Sequence, residues 1–216
     1  MSLPKACIFD LDGVIVDTVP AHFTAWKSIA EELGINFTKE DNEQLKGVSR
    51  IKSMKKILEL GKVSMTNEEI EVLTTRKNER YVEIISKMTP ADILPGVEDF
   101  LQQLERHNIP KAIGSASRNT PTILKCVGLT GRFDCIVDGN TVSNSKPDPE
   151  VFLKGAEGLG VEPQDCVVFE DAISGVKAAK AGGMKCIGVG KPEILKHADM
   201  IIPDMTEMTI KKLEEL

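Results

Sequence analysis

Two aspartates near the start of the chain have the residue type and the spacing of a catalytic pair. Asp10 and Asp12 flank one leucine directly after the apolar run Ala6–Phe9, and Gly13 follows them. Carboxylates this close repel each other, and burial raises their pKa unless a cation or a difference in role separates them. A metal-assisted site, with one carboxylate as nucleophile and the other as general acid/base, satisfies that condition. The alternative is an ordinary turn at a strand end, where Asp and Gly are common.

Three later apolar runs also end in polar residues that phosphoryl transfer can use. Ser115 precedes a helix start, where a hydroxyl and free backbone N–H groups suit a phosphate, although ordinary helix capping is the alternative. Lys146 lies in a loop that prolines stiffen, so it is either a fixed ammonium for a phosphoryl group or a solvated lysine. Glu170 and Asp171 offer oxygen ligands for Mg²⁺, or they only complement a helix dipole.

The order of these groups along the chain is more specific than any one of them. Metal-assisted phosphoryl transfer needs in-line attack, a cation between nucleophile and phosphoryl oxygen, and positive charge on the equatorial oxygens. A carboxylate pair, a serine, a lysine and an acidic pair, each at a strand end, meet these needs. The sequence therefore predicts a phosphoryl-transfer site.

The elements that must position these groups alternate between strand and helix, which is typical of a parallel, doubly wound α/β sheet. Such sheets bind their ligands at the carboxyl ends of the strands, where the polar residues are expected. We predict strands over residues 6–9, 111–114, 135–137, 166–169, 184–189 and 200–202, and helices over 97–107 and from about residues 120, 150 and 172.

Residues 18–88 interrupt this alternation with helical periodicity and no strand pattern. We expect a helix around Trp26 that stops at Gly34, a second from about Arg50 to Leu60 with Ser49 as N-cap and Gly61 past its end, and a third from the capping box at 66–69 to Met88. The predicted domains are an α/β core of residues 1–17 and 89–216 and an inserted helical cap of residues 18–88. The insert leaves the core beside Asp10, so it is expected to cover the site, with hinges near Asp17 and Thr89.

Composition narrows the class of protein. The chain has 216 residues and a net charge of −6 without a basic block, so nucleic acid and anionic membranes are not expected partners. No apolar run is long enough to span a bilayer, and residues 1–5 lack the apolar core of a signal peptide. The five cysteines are odd in number and widely spaced, so we expect reduced thiols and a cytoplasmic protein.

The motifs Asp10-Leu11-Asp12-Gly13, Ser115, Lys146-Pro147 and Glu170-Asp171 resemble the four signature motifs of the haloacid dehalogenase superfamily. This resemblance covers the core and implies a Rossmann-like fold. Residues 22–27, 42–50 and 76–78 of the insert, with 115–119 and 145–147 of the core, are similar to the phosphoglucomutase branch of that superfamily. One departure is Arg118, where the resemblance leads us to expect lysine; the charge is kept but the geometry differs.

The resemblance implies a phosphomutase that interconverts β-D-glucose 1-phosphate and glucose 6-phosphate. The implied intermediates are an aspartyl-phosphate enzyme and glucose 1,6-bisphosphate. A sugar-phosphate phosphatase is the alternative, because the same acidic residues serve both reactions. A non-catalytic binding protein of the same fold is disfavoured, because it predicts the loss of acidic groups that are all present. A monomer that binds a small phosphosugar and Mg²⁺ is expected.

The resemblance also implies residue roles. Asp10 is the expected nucleophile and Asp12 the general acid/base, while Arg50 is expected to hold the phosphate that is not transferred. The implied metal ligands are Asp10, the backbone carbonyl of Asp12, Glu170 and Asp171. The implied phosphoryl-binding groups are Ser115, the Ala116 amide and Lys146. The other implied substrate-binding residues are Thr18 and His22 by the hinge, Trp26, Lys46, Gly47, Val48, Ser49, Ser53, Lys77, Ser117, Arg118 and Asn119.

For the insert, ordinary alternatives stay open when the residues are taken without the resemblance. Trp26 lies on an apolar stripe and would then pack in a core, His22 would be a surface or capping residue, and residues 46–50 would be a helix connection with solvated charges. With the resemblance, a closing cap excludes water, and Arg50 and Lys146 provide one cation for each phosphate of a bisphosphate that turns end for end.

Overall fold

The computed structural model describes residues 3–216, and in that part of the chain six strands form one parallel sheet. Their order across the sheet is β3-β2-β1-β4-β5-β6. The strands are β1 (Ala6–Phe9), β2 (Lys111–Gly114), β3 (Cys135–Val137), β4 (Cys166–Glu170), β5 (Lys185–Val189) and β6 (Met200–Ile202). The predicted doubly wound α/β fold is confirmed.

Helices cover both faces of this sheet and form the segment that leaves it after β1. The α-helices of the described chain are α1 (Val19–Glu32), α2 (Lys39–Glu43), α3 (Arg50–Gly61), α4 (Asn67–Ile85), α5 (Val97–Arg106), α6 (Thr120–Cys126), α7 (Glu150–Leu159), α8 (Ile173–Ala181), α9 (Pro192–Leu195) and α10 (Ile210–Leu213). Separate apolar clusters pack on the two faces of the sheet.

The two central strands explain why the predicted apolar runs are uninterrupted. All residues of β1 and β4 are buried, so neither strand alternates between polar and apolar side chains. Phe9 of β1 and Phe169 of β4 are register partners, and their rings stack with centroids 4.6 Å apart. The ends of both strands are therefore fixed against each other.

Several predicted boundaries differ from the structure. Helix α3 includes Gly61, because Lys62 instead takes the left-handed conformation that ends the helix, at φ 51°. Ser49 is the N-cap residue as predicted, but its side chain makes no capping hydrogen bond. Helix α4 begins at the predicted capping box and ends at Ile85, before Met88. Strand β4 continues to Glu170, because β5 is long enough to pair with it through Gly188.

Other ends shift by one residue. Helix α5 ends at Arg106, β5 begins at Lys185, and α8 begins at Ile173.

Residues 18–88 contain α1 to α4 and no strand, as predicted. Their inner faces form a separate apolar cluster that includes Trp26, Met54 and Leu73. The two connections to the sheet run side by side, because Val16 forms a bridge with Ile93 and the Leu94 N–H donates to the Ile15 carbonyl at 3.0 Å. The division into core and cap and the two hinges remain predictions. We call residues 18–88 the helical segment.

All five cysteines are free, and three of them are buried. None of the helices in residues 3–216 has both the length and the apolar character needed to cross a membrane. Met1 and Ser2, which belong to the stretch expected to lack a signal peptide, lie outside the described residues.

Candidate active site

The predicted chemical groups meet at the carboxyl edge of the sheet, beside the central strand β1. Asp10 follows β1, Ser115 follows β2, and Glu170 ends β4. Lys146, from the loop after β3, places its Nζ 2.5 Å from Asp10 Oδ1 and 2.5 Å from Glu170 Oε1. The strand order reverses at this point of the sheet, which is where open α/β sheets bind ligands.

Charge and burial oppose each other around Lys146. Its side chain is fully buried, and burial alone lowers the pKa of Lys146, but the carboxylates of Asp10 and Glu170 outweigh burial and raise that pKa above its ordinary value. For Glu170, burial raises the pKa to about 8, and the nearby Asp10 and Asp171 add to the rise while Lys146 opposes it. Its second oxygen, Oε2, accepts the Ala172 N–H at 2.8 Å. The lysine thus holds two carboxylates that would otherwise repel each other.

Asp12 has an environment suited to giving and taking a proton. Burial raises the pKa of Asp12 to about 7, and the charge of Asp10 raises it further while a hydrogen bond from the Thr18 hydroxyl lowers it. The His22 Nε2 atom lies 3.9 Å from Asp12 Oδ2. A carboxyl group with a pKa near neutrality populates both its acid and its base form, as a general acid/base requires.

Asp171 joins the sheet edge to the helical segment. Lys46 Nζ lies 2.8 Å from Asp171 Oδ2 and 3.0 Å from Glu43 Oε2. The Ser174 hydroxyl of α8 donates to the Lys46 carbonyl at 2.9 Å. Gly47 has a φ of 69°, and a Cβ there would collide with the Ser174 hydroxyl. The loop after α2 therefore lies directly on the sheet edge, and only glycine fits at its closest approach.

The carboxylate cluster fits a hard divalent cation by its chemistry. Asp10, Asp12, Glu170 and Asp171 face the two ammonium groups of Lys46 and Lys146, which leaves an excess of negative charge among donors that are all oxygen. Burial and this mutual repulsion raise the pKa of both Glu170 and Asp171. Within residues 3–216, however, no three Asp, Glu, His or Cys side chains are grouped closely enough to hold a metal ion. Asp10, Glu170 and Asp171 contact lysines instead, and Asp12 accepts the Thr18 hydroxyl.

A cavity of about 510 Å³ lies between the sheet edge and the helical segment. Nearly all predicted site residues line it; they are Asp10, Asp12, His22, Trp26, Lys46, Gly47, Val48, Ser49, Arg50, Ser53, Lys77, Ala116, Ser117, Arg118, Asn119, Lys146, Glu170 and Asp171. Two predicted residues lie behind its wall. Thr18 is fully buried against Asp12, and Ser115 is fully buried with its Oγ accepting the Ser117 N–H at 3.1 Å.

Two arginines line one wall of the cavity: Arg50 of the helical segment and Arg118 of the loop before α6. The Asn119 N–H donates to Ser117 Oγ at 3.2 Å, so the backbone is folded tightly before α6 begins. Burial lowers the pKa of Arg50, and the nearby Arg118 guanidinium lowers it further. Asn119 Nδ2 also donates to Asn78 Oδ1 of α4 at 2.9 Å, which joins this segment to the helical segment. Two guanidinium groups side by side suit an anion.

The Lys77 ammonium group is buried among three aromatic rings of the helical segment. Its Nζ is 3.0 Å from His22 Nδ1, 4.8 Å from the Trp26 ring centroid and 4.4 Å from the Tyr81 ring centroid. Burial lowers the pKa of Lys77 to about 7, and Arg50 lowers it further. Burial also lowers the pKa of His22, with Lys77 and Arg50 adding to the effect. Trp26 packs in the apolar cluster and also lines the cavity; its substrate-binding role stays a prediction.

Further lining residues were given no role from the sequence, although Asn78 and Ser145 lie in stretches that carry the resemblance. Those on α4 are Glu71, Thr74, Thr75, Asn78 and Tyr81, and those in the loop before Lys146 are Val142, Ser143, Asn144 and Ser145. The α4 residues recur at helical spacing, a polar periodicity that could have identified them. The loop residues carry no such signal.

Comparisons with known proteins place this geometry in context. A model of the haloacid dehalogenase-like hydrolase family matches residues 4–183. The chain is 45% identical over 213 residues to the β-phosphoglucomutase of Bacillus subtilis strain 168, covering 98% of this chain and 94% of that protein. It is 32% identical over 185 residues to a phosphorylated carbohydrates phosphatase of Thermotoga maritima, covering 85% and 83%. The crystal structure of a Clostridium difficile β-phosphoglucomutase superposes with a TM-score of 0.95 at 40% identity, covering 99% and 96%.

Proposed function

The chain belongs to the haloacid dehalogenase-like hydrolase family, and we propose that it is a phosphomutase that interconverts β-D-glucose 1-phosphate and glucose 6-phosphate. The observation that carries the proposal is that Asp10 and Asp12 line the same cavity as residues 46–50 of the helical segment. The 45% identity to the Bacillus subtilis β-phosphoglucomutase, which extends through that segment, supports it. In this proposal residues 18–88 are a cap on a core of residues 1–17 and 89–216.

Asp10 carries the transferred phosphoryl group. In the proposed cycle, the Asp12 carboxylate takes the proton of the sugar 6-hydroxyl, whose oxygen attacks the phosphorus of phosphorylated Asp10, and Asp10 leaves as a carboxylate. The bisphosphate then turns end for end. Asp10 attacks the phosphorus at the 1-position, and the departing sugar oxygen takes the proton from Asp12. The pKa of Asp12, raised to about 7 by burial, suits both of its steps.

The core supplies the groups that hold the phosphoryl group in transfer. Lys146 is already placed 2.5 Å from an Asp10 oxygen, and Ser115 and the Ala116 amide lie at the neighbouring strand end. In the proposal, a divalent ion, Mg²⁺ in particular, is held by Asp10, the backbone carbonyl of Asp12, Glu170 and Asp171. When bound, it supplies positive charge for the phosphoryl oxygens.

The other phosphate is assigned to the far wall of the cavity. Arg50 of the cap and Arg118 of the core, with Ser117 and Asn119, are the proposed partners of that phosphate, and all four line the cavity. Because the intermediate binds in two orientations, a cationic group is needed at each end. Lys46, Gly47, Val48, Ser49, Ser53 and Lys77 are the proposed sugar-contacting residues, with Trp26 nearby and Thr18 and His22 by the hinge.

Water exclusion separates a mutase from a phosphatase, because water competes with the sugar hydroxyl for phosphorylated Asp10. Lys46 contacts Asp171, and Ser174 contacts the Lys46 carbonyl, so the cap covers the sheet edge. A sugar-phosphate phosphatase is the second candidate, favoured by the 32% identity to the Thermotoga maritima phosphatase. The proposed protein is a cytoplasmic monomer whose partner is a small phosphosugar, with no nucleic acid or membrane involved.

A product assay tests the proposal. The protein is given β-glucose 1-phosphate, Mg²⁺ and a trace of glucose 1,6-bisphosphate, and both glucose 6-phosphate and inorganic phosphate are measured. Glucose 6-phosphate as the dominant product is expected. Dominant release of inorganic phosphate would establish the phosphatase instead.

A further inference from the structure

The Tyr81 hydroxyl is a buried polar group without a partner at the edge of the candidate active site. Tyr81 lies on α4 and is 1% exposed, and its hydroxyl makes no hydrogen bond to any residue of the described chain. Leaving a buried hydroxyl unpaired costs about 1–3 kcal/mol. An unpaired group of this kind at a reaction site therefore calls for a functional reason.

The ring of Tyr81 is fixed by its neighbours, so its hydroxyl has a defined direction. The His22 ring packs against it with centroids 4.2 Å apart, and Lys77 Nζ lies 4.4 Å from the centroid of the Tyr81 ring. Tyr81 also joins the apolar cluster under the sheet that includes Ala21 and Ile85. These contacts hold the phenol in place from several sides.

The polar groups near the Tyr81 hydroxyl are those of the general acid/base. Burial raises the pKa of Tyr81 well above its ordinary value, and the charge of Asp12 raises it further while the Thr18 hydroxyl lowers it. The phenol is therefore protonated at neutral pH and able to donate. Thr18 uses its own proton in the hydrogen bond to Asp12, which leaves the lone pairs of its oxygen free to accept.

Thr18 has no competing structural task for its hydroxyl. It is the N-cap residue of α1, but its side chain makes no capping hydrogen bond. Its hydroxyl serves Asp12 instead, in a fully buried position. Thr18 directly precedes α1 and Tyr81 lies on α4, so the two residues belong to the same helical segment.

We propose that Tyr81 is a positioning residue of the reaction, whose hydroxyl donates to Thr18 Oγ1 when substrate fills the cavity. The chain Tyr81–Thr18–Asp12 then fixes the Asp12 carboxyl in the orientation that proton exchange with the sugar oxygen requires. Linked hydrogen bonds of this kind polarise and strengthen one another. The inference rests on the role of Asp12 in the proposed function.

The test is Tyr81→Phe, which keeps the ring and removes only the hydroxyl. We expect kcat for formation of glucose 6-phosphate to fall about tenfold, a part of the factor that a general acid/base supplies. KM is expected to stay within about twofold, because the proposed partner of the hydroxyl is Thr18 and not the sugar. The melting temperature is expected to be unchanged or higher, because the variant removes an unpaired buried hydroxyl. A purely structural Tyr81 would instead lower the melting temperature and leave kcat intact.

Thr18 variants provide the coupling measurement. Thr18→Ser keeps the acceptor and is expected to retain sensitivity to Tyr81→Phe, whereas in Thr18→Val the same change is expected to alter kcat less than about twofold. Wild-type kcat in Tyr81→Phe, or an equal loss in the Thr18→Val background, overturns the inference. If wild type itself releases mainly inorganic phosphate, the proposed mutase function fails separately, and the same comparison is then made on the hydrolysis rate.

Discussion

Lys46 of the helical segment and Asp171, which follows β4, form an ion pair of 2.8 Å between residues 125 positions apart. The Asp171 side chain is 9% exposed and the Lys46 side chain 22%, so the pair is largely withdrawn from solvent. Burial by itself lowers the pKa of Lys46, but Asp171 and Glu43 outweigh it and raise that pKa. This ion pair joins the helical segment to the carboxylate cluster at the sheet edge.

Replacing Lys46 is expected to let water into the site. In Lys46→Met the apolar stem is kept but Asp171 loses its cation, so the cap should rest less tightly on the core. We expect the ratio of glucose 6-phosphate to inorganic phosphate to fall about tenfold or more, since the loss of one buried charge contact costs at least ~1.4 kcal/mol. Lys27→Met is the matched control, because Lys27 pairs with Glu31 on the exposed face of the same segment. An unchanged product ratio in Lys46→Met would remove this contact from the account.

Gly175 is expected to be essential for activity, because the Glu170 carboxylate occupies the space that a side chain at position 175 would need. A Cβ on Gly175 would overlap the Glu170 carboxylate, so Gly175→Ala must displace it from Lys146. We expect a loss of activity of about a hundredfold and a higher Mg²⁺ concentration at half-maximal activity. Gly155→Ala in α7 is the control, because a Cβ there meets only ordinary contacts with Ile8 and Ala112. Full activity with normal Mg²⁺ dependence in Gly175→Ala would contradict the assignment of Glu170.

Ionisation of Asp12 is expected to lower the free energy of unfolding as pH rises. Its pKa is about 7 in the folded protein, against 3.8 as the ordinary value, so the folded state binds more protons between these pH values and loses stability as pH rises through this window. Asp12→Asn cannot ionise and should therefore be more stable than wild type at pH 8, by about 2 kcal/mol, but not at pH 4. Urea unfolding in metal-free buffer at both pH values measures this. Equal differences at pH 4 and pH 8 would argue against a raised pKa.

Arg50 is expected to matter for sugar phosphates and not for phosphorylation of Asp10 itself. Arg50→Ala should lower kcat/KM with β-glucose 1-phosphate by at least about a hundredfold, because it removes the partly buried cation that is proposed to bind the far phosphate. Labelling of Asp10 by acetyl phosphate should be nearly unchanged. Arg76→Ala is the matched control, since Arg76 lies on the exposed face of α4 and pairs with Glu32. Equal losses in both assays would contradict the role given to Arg50.

Local chemistry made much of the fold, and the meeting of the candidate site residues at one sheet edge, predictable from the sequence. The runs 6–9 and 166–169 are apolar throughout because both faces of the sheet are covered, and polar residues at the ends of β1, β2 and β4 mark its carboxyl edge. Thr66 was identifiable as a helix start because both capping contacts lie within three residues.

Features that depend on the relative position of distant elements were not predictable from the sequence. Lys62, and not Gly61, takes the left-handed conformation that ends α3. Gly61 instead lies where a Cβ would collide with the Ile35 side chain, a contact between residues that are distant in sequence. The Lys46–Asp171 pair, the clash that excludes a side chain at Gly175, and the unpaired Tyr81 hydroxyl all arise where the cap or α8 approaches the sheet. No local pattern encodes such distances.

The most direct test of the account follows the phosphoryl group held by Asp10. The protein is labelled with ³²P from acetyl phosphate, freed of excess donor, and mixed with unlabelled β-glucose 1-phosphate, with Asp10→Asn as the unlabelled control. We expect most of the label to move to sugar phosphate, because the covered cavity presents a sugar hydroxyl in place of water. Release of most of the label as inorganic phosphate would contradict it.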